Sequence, residues 1–134
     1  MDREIQRQKF LDNNILYDEI DPEMINIIDV LNFKCGYKTK YCCYGHSHNE
    51  FPDIMFDSCI SDEMIYKLIE YLHQTKDFWY NGNKNCTYDG NFKKWARCID
   101  GKLAVNWVWQ GCFAVNDKKE EWIKKIYKHL CEFQ

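Results

Sequence analysis

No run of apolar residues in these 134 positions approaches the length that spans a bilayer. The opening MDREIQRQKF is too charged to read as a secretory signal. Both absences lead us to expect a cytoplasmic protein with no membrane partner. A basic excess is also missing. Eighteen Lys and Arg against 21 Asp and Glu give a net charge of -3 and a pI near 5.8, which argues against coating duplex DNA by charge alone. Internal repeats, linkers and low-complexity tracts are lacking as well, so we expect a single domain over residues 1–134.

What is present suits a packed core. Hydrophobic residues make up 46% of the chain, enough to argue against disorder. Aromatics reach 16%, with five Trp and nine Tyr whose N–H and O–H groups need partners, so some are expected at the surface where they stack on a ligand. Lysines cluster at 38–40, 93–94 and 124–128, which leaves room for a local basic patch or simply for solubility. Without export, the eight cysteines should be reduced thiols rather than a disulfide framework.

Ile5, Phe10, Leu11, Ile15 and Leu16 fit one side of a helix interrupted near Asp12-Asn13-Asn14. Asp21-Pro22 reads as a helix start, with Asp21 capping and Pro22 at the first position, followed by Met24, Ile27, Ile28 and Leu31 on one face. Period-two alternation from Tyr37 to Tyr44 predicts a strand ending at Gly45, and Asp53 to Asp57 a second strand antiparallel to it. Ser61 looks like the cap of a helix buried through Ile65, Leu68 and Leu72, with Ile60 and Ile65 as its hydrophobic staple. Residues 77–92 read as an irregular connection or a short strand near Phe78. Asp100-Gly101 between KKWARCI and KLAVNWVW is a strong two-residue hairpin signature. Asn116-Asp117 should cap a last helix carrying Trp122, Ile123, Ile126, Tyr127 and Leu130 on one face. Together these elements predict an α+β domain, a mostly antiparallel twisted sheet with about three or four helices packed on it.

Chemistry concentrates in Cys42-Cys43-Tyr44-Gly45-His46-Ser47-His48. Zinc is the first thought, but adjacent strand residues face opposite ways, so Cys42 and Cys43 cannot share an ion without a bulge. Cys43, His46 and His48 form the feasible ligand set, against the simpler reading of thiols beside a polar loop. The same turn suits an anion without metal. Gly45 allows close backbone approach, the following N–H groups form a nest for phosphate, and His46 or His48 adds a donor that switches near neutral pH. Cys43 becomes a nucleophile only if a histidine lowers its pKa.

Helix, turn, Tyr37-Lys38-Thr39 and then Cys43-Tyr44-Gly45-His46 resembles the Y-T-x-S-S-C-S-G-R stretch of the tRNA wybutosine-synthesising methyltransferases, over residues 22–72 at most. Tyr37, Thr39, Cys43 and Gly45 coincide. Tyr41 and Cys42 stand where that family has serines before the cysteine, Tyr44 where it has the one after, and His46 where it has arginine. The resemblance implies a small α/β fold and S-adenosylmethionine-dependent methylation of a modified guanosine in tRNA. The segment also resembles short bacterial and phage proteins with a C-x-G-H run after a Leu-Asn-ended helix, which implies no function.

The hairpin carries the second candidate. Pairing outward from Asp100-Gly101 places Cys98, Leu103, Ala96, Val105 and Trp107 on one face, expected to pack on the core. The other face carries Trp95, Arg97, Asn106, Lys102 and Lys93, a stacking plane with fork and amide donors, unless Trp95 and Arg97 simply stack on each other in solvent. The leading expectation is therefore a non-enzymatic binding protein for a nucleotide or single-stranded nucleic acid, such as RNA, with no resident cofactor. Trp95, Arg97 and Asn106 would contact the base or ribose, and the Gly45–His48 turn the phosphate. The alternatives are the methyltransferase-like enzyme, with S-adenosylmethionine as cofactor, and a phage-encoded inhibitor that binds a protein partner through its acidic surface.

Overall fold

The computed structural model describes residues 2–45, 50–75, 90–111 and 119–134. Among them are helices α1 (Arg3–Asp12), α2 (Ile25–Phe33), α3 (Asp62–Gln74) and α4 (Lys119–Glu132), and strands β1 (Thr39–Cys43), β2 (Asp53–Phe56), β3 (Asn91–Ile99) and β4 (Lys102–Gln110). The strands form one antiparallel sheet in the order β1-β2-β4-β3. This is the expected α+β fold. The segment near Phe78 and the Asn116-Asp117 cap lie outside the described residues.

Local chemistry explains most element ends. The Asp2 carboxylate accepts from the Glu4 and Ile5 N–H groups and starts α1, which buries Gln6 and Phe10 while Ile5 stays 64% exposed. Ser61 accepts from the Met64 N–H at 3.2 Å and starts α3, with Ile60 and Ile65 both buried beside it. Asp100 and Gly101 have φ of +51° and +77°, the pair of left-handed residues that matches a tight turn to strand twist. Asp21 departs from its expected part. It precedes a 3-10 turn at Pro22–Met24 without capping it, and its carboxylate instead accepts from the Tyr44 N–H at 2.8 Å, tying the end of β1 to the helical layer.

The core fills the space between the helices and one face of the sheet. Ile54, Phe56 and Trp109 supply the sheet side, and Phe10, Ile27, Leu31, Ile65, Leu68, Ile126 and Leu130 the helical side. Trp109 meets Trp122 of α4 edge-on at 6.0 Å and stacks on Phe92 at 5.0 Å.

The hairpin does not bury one whole face as expected. Leu103 is 77% exposed and Cys98 and Ala96 are exposed as well, while Val105 and Trp107 are only half-buried. The reason is strand length. The four residues of β2 pair with β4 only from Val108 to Gln110, so the far half of the nine-residue hairpin strands projects beyond the helices. Trp107 marks the boundary: its indole N–H donates to Asp62 of α3 at 2.9 Å, and Lys94 reaches the same carboxylate at 2.8 Å.

Candidate functional site: the uncovered face of the sheet

Strand alternation and register sort the sheet into two faces. Cys42, Ile54 and Trp109 form one cross-strand row on the helical side. On the opposite face lie Cys43, Asp53, Gln110 and Asn91 in one row, and Tyr41, Met55, Val108 and Lys93 in the next. Trp95 and Asn106 follow, then Arg97 and Ala104. Among the described residues, the side-chain contacts from helices α2, α3 and α4 to the sheet go to the first face. On the second face Tyr41 is 59% and Trp95 48% exposed. A hollow of about 370 Å³ lies there, lined by Tyr41, Asp53, Met55, Lys93, Trp95 and Gln110 among others.

Trp95 and Arg97 stack on each other, the guanidinium carbon 4.2 Å from the ring centre. Arg97 is also held through its Nη1, which donates to Asn106 Oδ1 at 2.8 Å. Asn106 itself is 3% exposed, and its Nδ2 donates to the Phe56 carbonyl at 2.8 Å. Its amide is thus committed at both ends, to the last carbonyl of β2 and to the arginine. Asn106 therefore lies beneath this face and fixes the position of Arg97.

The Cys42–Gly45 end is more enclosed. Burial pushes the Cys42 thiol up to about 12, with Asp21 and Asp53 adding to it. Burial likewise raises Cys43, followed by the charges of Asp21, Asp53 and Glu50, while the Gly45 N–H at 3.4 Å from its sulfur opposes the shift. The net shift is upward, away from a reactive thiolate. Gly45 is buried with φ of +90°, and a Cβ there would lie 2.6 Å from the Glu50 carbonyl oxygen, so only glycine closes this turn. Lys119, at the start of α4, donates to the Gly45 carbonyl at 3.3 Å. His46 and His48 lie outside the described residues, and with them the ligand set Cys43, His46 and His48. Among the described residues no cluster of three or more metal-ligating side chains occurs.

Cys43 and Trp95 share a face of the sheet, but Cys43 does not line the hollow beside Trp95. Register puts the Cα atoms of Cys43 and Trp95 at opposite corners, roughly 20 Å apart by strand spacing and rise. That is the limit for a site of mononucleotide size. Sequence reasoning missed Tyr41, Asp53, Met55 and Gln110 as neighbours of Trp95. Their alternation was visible, but the placement of β2 beside β4 was not.

A larger hollow of about 500 Å³ lies on the helical side, lined by Gln6, Lys9, Tyr17 and Asp29 among others. Four of its polar groups satisfy one another. Tyr17 donates to Gln6 Oε1 at 3.0 Å, and Gln6 and Lys9 donate to Asp29 at 2.8 and 2.7 Å. These groups are already paired, and the sheet face is the better candidate despite the smaller volume.

Among the described residues, the fold and this face define a small α+β protein whose sheet carries helices on one side and an aromatic, basic surface on the other. The chain belongs to the family described as YoqC prophage protein, whose model matches residues 8–132. Neither a curated protein nor a solved structure gave a match. Among the described residues no helix is long and apolar enough to cross a membrane.

Proposed function

We propose that the uncovered sheet face binds single-stranded nucleic acid in the cytoplasm, as a binding surface rather than a catalytic centre. The observation that carries this reading is the shared exposure of Trp95 and Tyr41 on one face with Lys93 and Arg97. Four-stranded sheets with aromatics on an open face stack about two or three bases. Each stacked base contributes about 1–3 kcal/mol. The corner-to-corner distance between Cys43 and Trp95 favours a short strand over a single nucleotide. The cations on this face then track the phosphates, while the acidic remainder of the chain suppresses unspecific binding to duplexes.

Fluorescence anisotropy of a labelled, mixed-sequence eight-nucleotide RNA tests the reading. Saturable binding that outlasts competition by duplex DNA supports it, and no binding at low salt removes it.

A protein partner is the second reading, and the projecting hairpin tip favours it. Ile99 is 47% and Leu103 77% exposed there, and a phage-encoded inhibitor could dock through them. Copurification of one protein at fixed stoichiometry, lost on Leu103→Asp, would support it. Methyl transfer from S-adenosylmethionine rests on Tyr37, Thr39, Cys43 and Gly45. Tyr37 donates to the Met64 carbonyl, Thr39 bonds Asn32, and Gly45 closes the turn beside Glu50, so three of these four have framework roles. A calorimetric titration with the cofactor separates that enzyme class from a binding module. Zinc held by Cys43, His46 and His48 is tested by elemental analysis of protein purified without a His-tag.

A further inference from the structure

Asp53 is half-buried and lines the hollow on the open face, yet among the described residues its carboxylate accepts no hydrogen bond. A desolvated carboxylate without a hydrogen-bond donor is unfavourable, and burial raises its pKa here while the charge of Lys93 opposes the shift. Gln110 is its partner across the ladder and lines the same hollow. Met55 and Val108, also cross-strand partners, form the next row and give the hollow an apolar floor. Trp95 and Tyr41 stand toward its sides on the outer strands.

We propose that this hollow takes a guanine base, with Asp53 accepting from N1–H and N2–H2 and Gln110 or Lys93 donating to O6. The inference rests on the reading of the face as a nucleic-acid surface and names the base it selects. The chemistry of the Watson–Crick edges makes the choice. A carboxylate offers two parallel acceptors, and guanine alone among the four common bases presents two adjacent donors on that edge. Adenine and cytosine each place a ring-nitrogen acceptor beside one amino group, and uracil flanks its single N–H with two carbonyls. Each of those acceptors would face the carboxylate and repel it. The base plane would rest on Met55 and Val108, leaving Trp95 for the neighbouring base.

The test is a set of labelled RNA pentamers, UUGUU, UUAUU, UUCUU, UUUUU and the inosine version UUIUU, titrated into the intact protein at one salt concentration. A bidentate base contact is worth about 1–3 kcal/mol, so UUGUU should bind ~5- to 150-fold more tightly than the A, C and U pentamers. Inosine, which lacks N2–H2, should fall between. Asp53→Asn should bring the G-to-U ratio close to one. Free 5′-GMP that competes as well as UUGUU places guanine recognition in a mononucleotide and keeps the inference. Binding of all pentamers with equal affinity overturns guanine selection and leaves the strand-binding reading intact. A G preference unchanged in Asp53→Asn overturns the role of Asp53. No binding by any pentamer or by GMP overturns both readings, and the wild-type series decides this without any variant.

Discussion

Arg97 lies over the ring of Trp95 with 4.2 Å between its guanidinium carbon and the ring centre, two residues along the same face of β3. The hydrogen bond that Arg97 donates to the Asn106 amide oxygen anchors this stack. Arg97 thereby occupies one ring face of Trp95, and the residue as a whole stays 48% exposed. A base arriving there would complete a three-layer stack with a cation at its far side, an arrangement that costs little ordering because the protein already holds two layers.

Trp95→Ala should weaken binding of a single-stranded oligonucleotide by about 1–3 kcal/mol, ~5- to 150-fold, with little change in stability. Anisotropy and urea unfolding on the same preparation check the two halves of that statement. A large loss of stability would mean that Trp95 acts in folding and not at a surface.

Affinity should fall with salt at a modest slope. Among the described residues of β3 and β4, Lys93, Lys102 and Arg97 are the cations on this face, and three phosphate contacts give a slope of log K on log salt of about -2 for a single strand. Titrations across a range of salt concentrations measure it. A slope near zero would remove phosphate contact from the account.

Asn106→Ala should destabilise the fold by about 1–3 kcal/mol, because it leaves the Phe56 carbonyl and the Arg97 guanidinium without their partner. Leu103→Ser should change stability by about 0.5 kcal/mol or less, as exposed positions do. Urea midpoints at fixed pH compare them. Equal losses would contradict the placement of the hairpin tip beyond the core.

The acid response should separate two aspartates. Bonds from Lys94 and Trp107 hold the Asp62 carboxylate below its usual value. Its stabilising share is therefore present above the unfolded pKa and lost as pH falls through the lower folded one. Asp53 runs the other way. Burial and then Glu50 raise it while Lys93 opposes them, so its ionisation in the folded protein costs stability at neutral pH. Asp53→Asn should raise stability near pH 7, with the gain vanishing below the unfolded carboxylate pKa. Asp62→Asn should lower it near pH 7, with the deficit shrinking on acidification. Denaturant titrations across pH check both signs.

Short-range chemistry made much of the fold legible. The Asp100-Gly101 turn, the Ser61 cap and the opposite facing of Cys42 and Cys43 each depend on neighbours a few positions away, and the alternation of KKWARCI with KLAVNWVW gave the hairpin register. Trp95 and Arg97 were visible as a pair for the same reason. What was not legible depends on which strands meet. Tyr41 and Asp53 join Trp95 only because β2 pairs with β4, across about 50 residues of chain. The burial of Asn106 follows from the place where the short β2 ends, and the exposure of Leu103 from the mismatch in strand length. Neither leaves a mark in composition or periodicity. Asp21 misled because Asp before Pro is a good capping signal, whereas here its carboxylate is taken by the distant Tyr44 N–H.

The central claim is that ligand binds the uncovered face. An amide and indole ¹H–¹⁵N titration of the intact protein with the pentamer UUGUU tests it most directly. The account predicts shifts at Tyr41, Asp53, Met55, Lys93, Gln110 and the Trp95 indole, with the indoles of Trp109 and Trp122 unmoved. Shifts confined to the helical side, or none at saturating RNA, would contradict it.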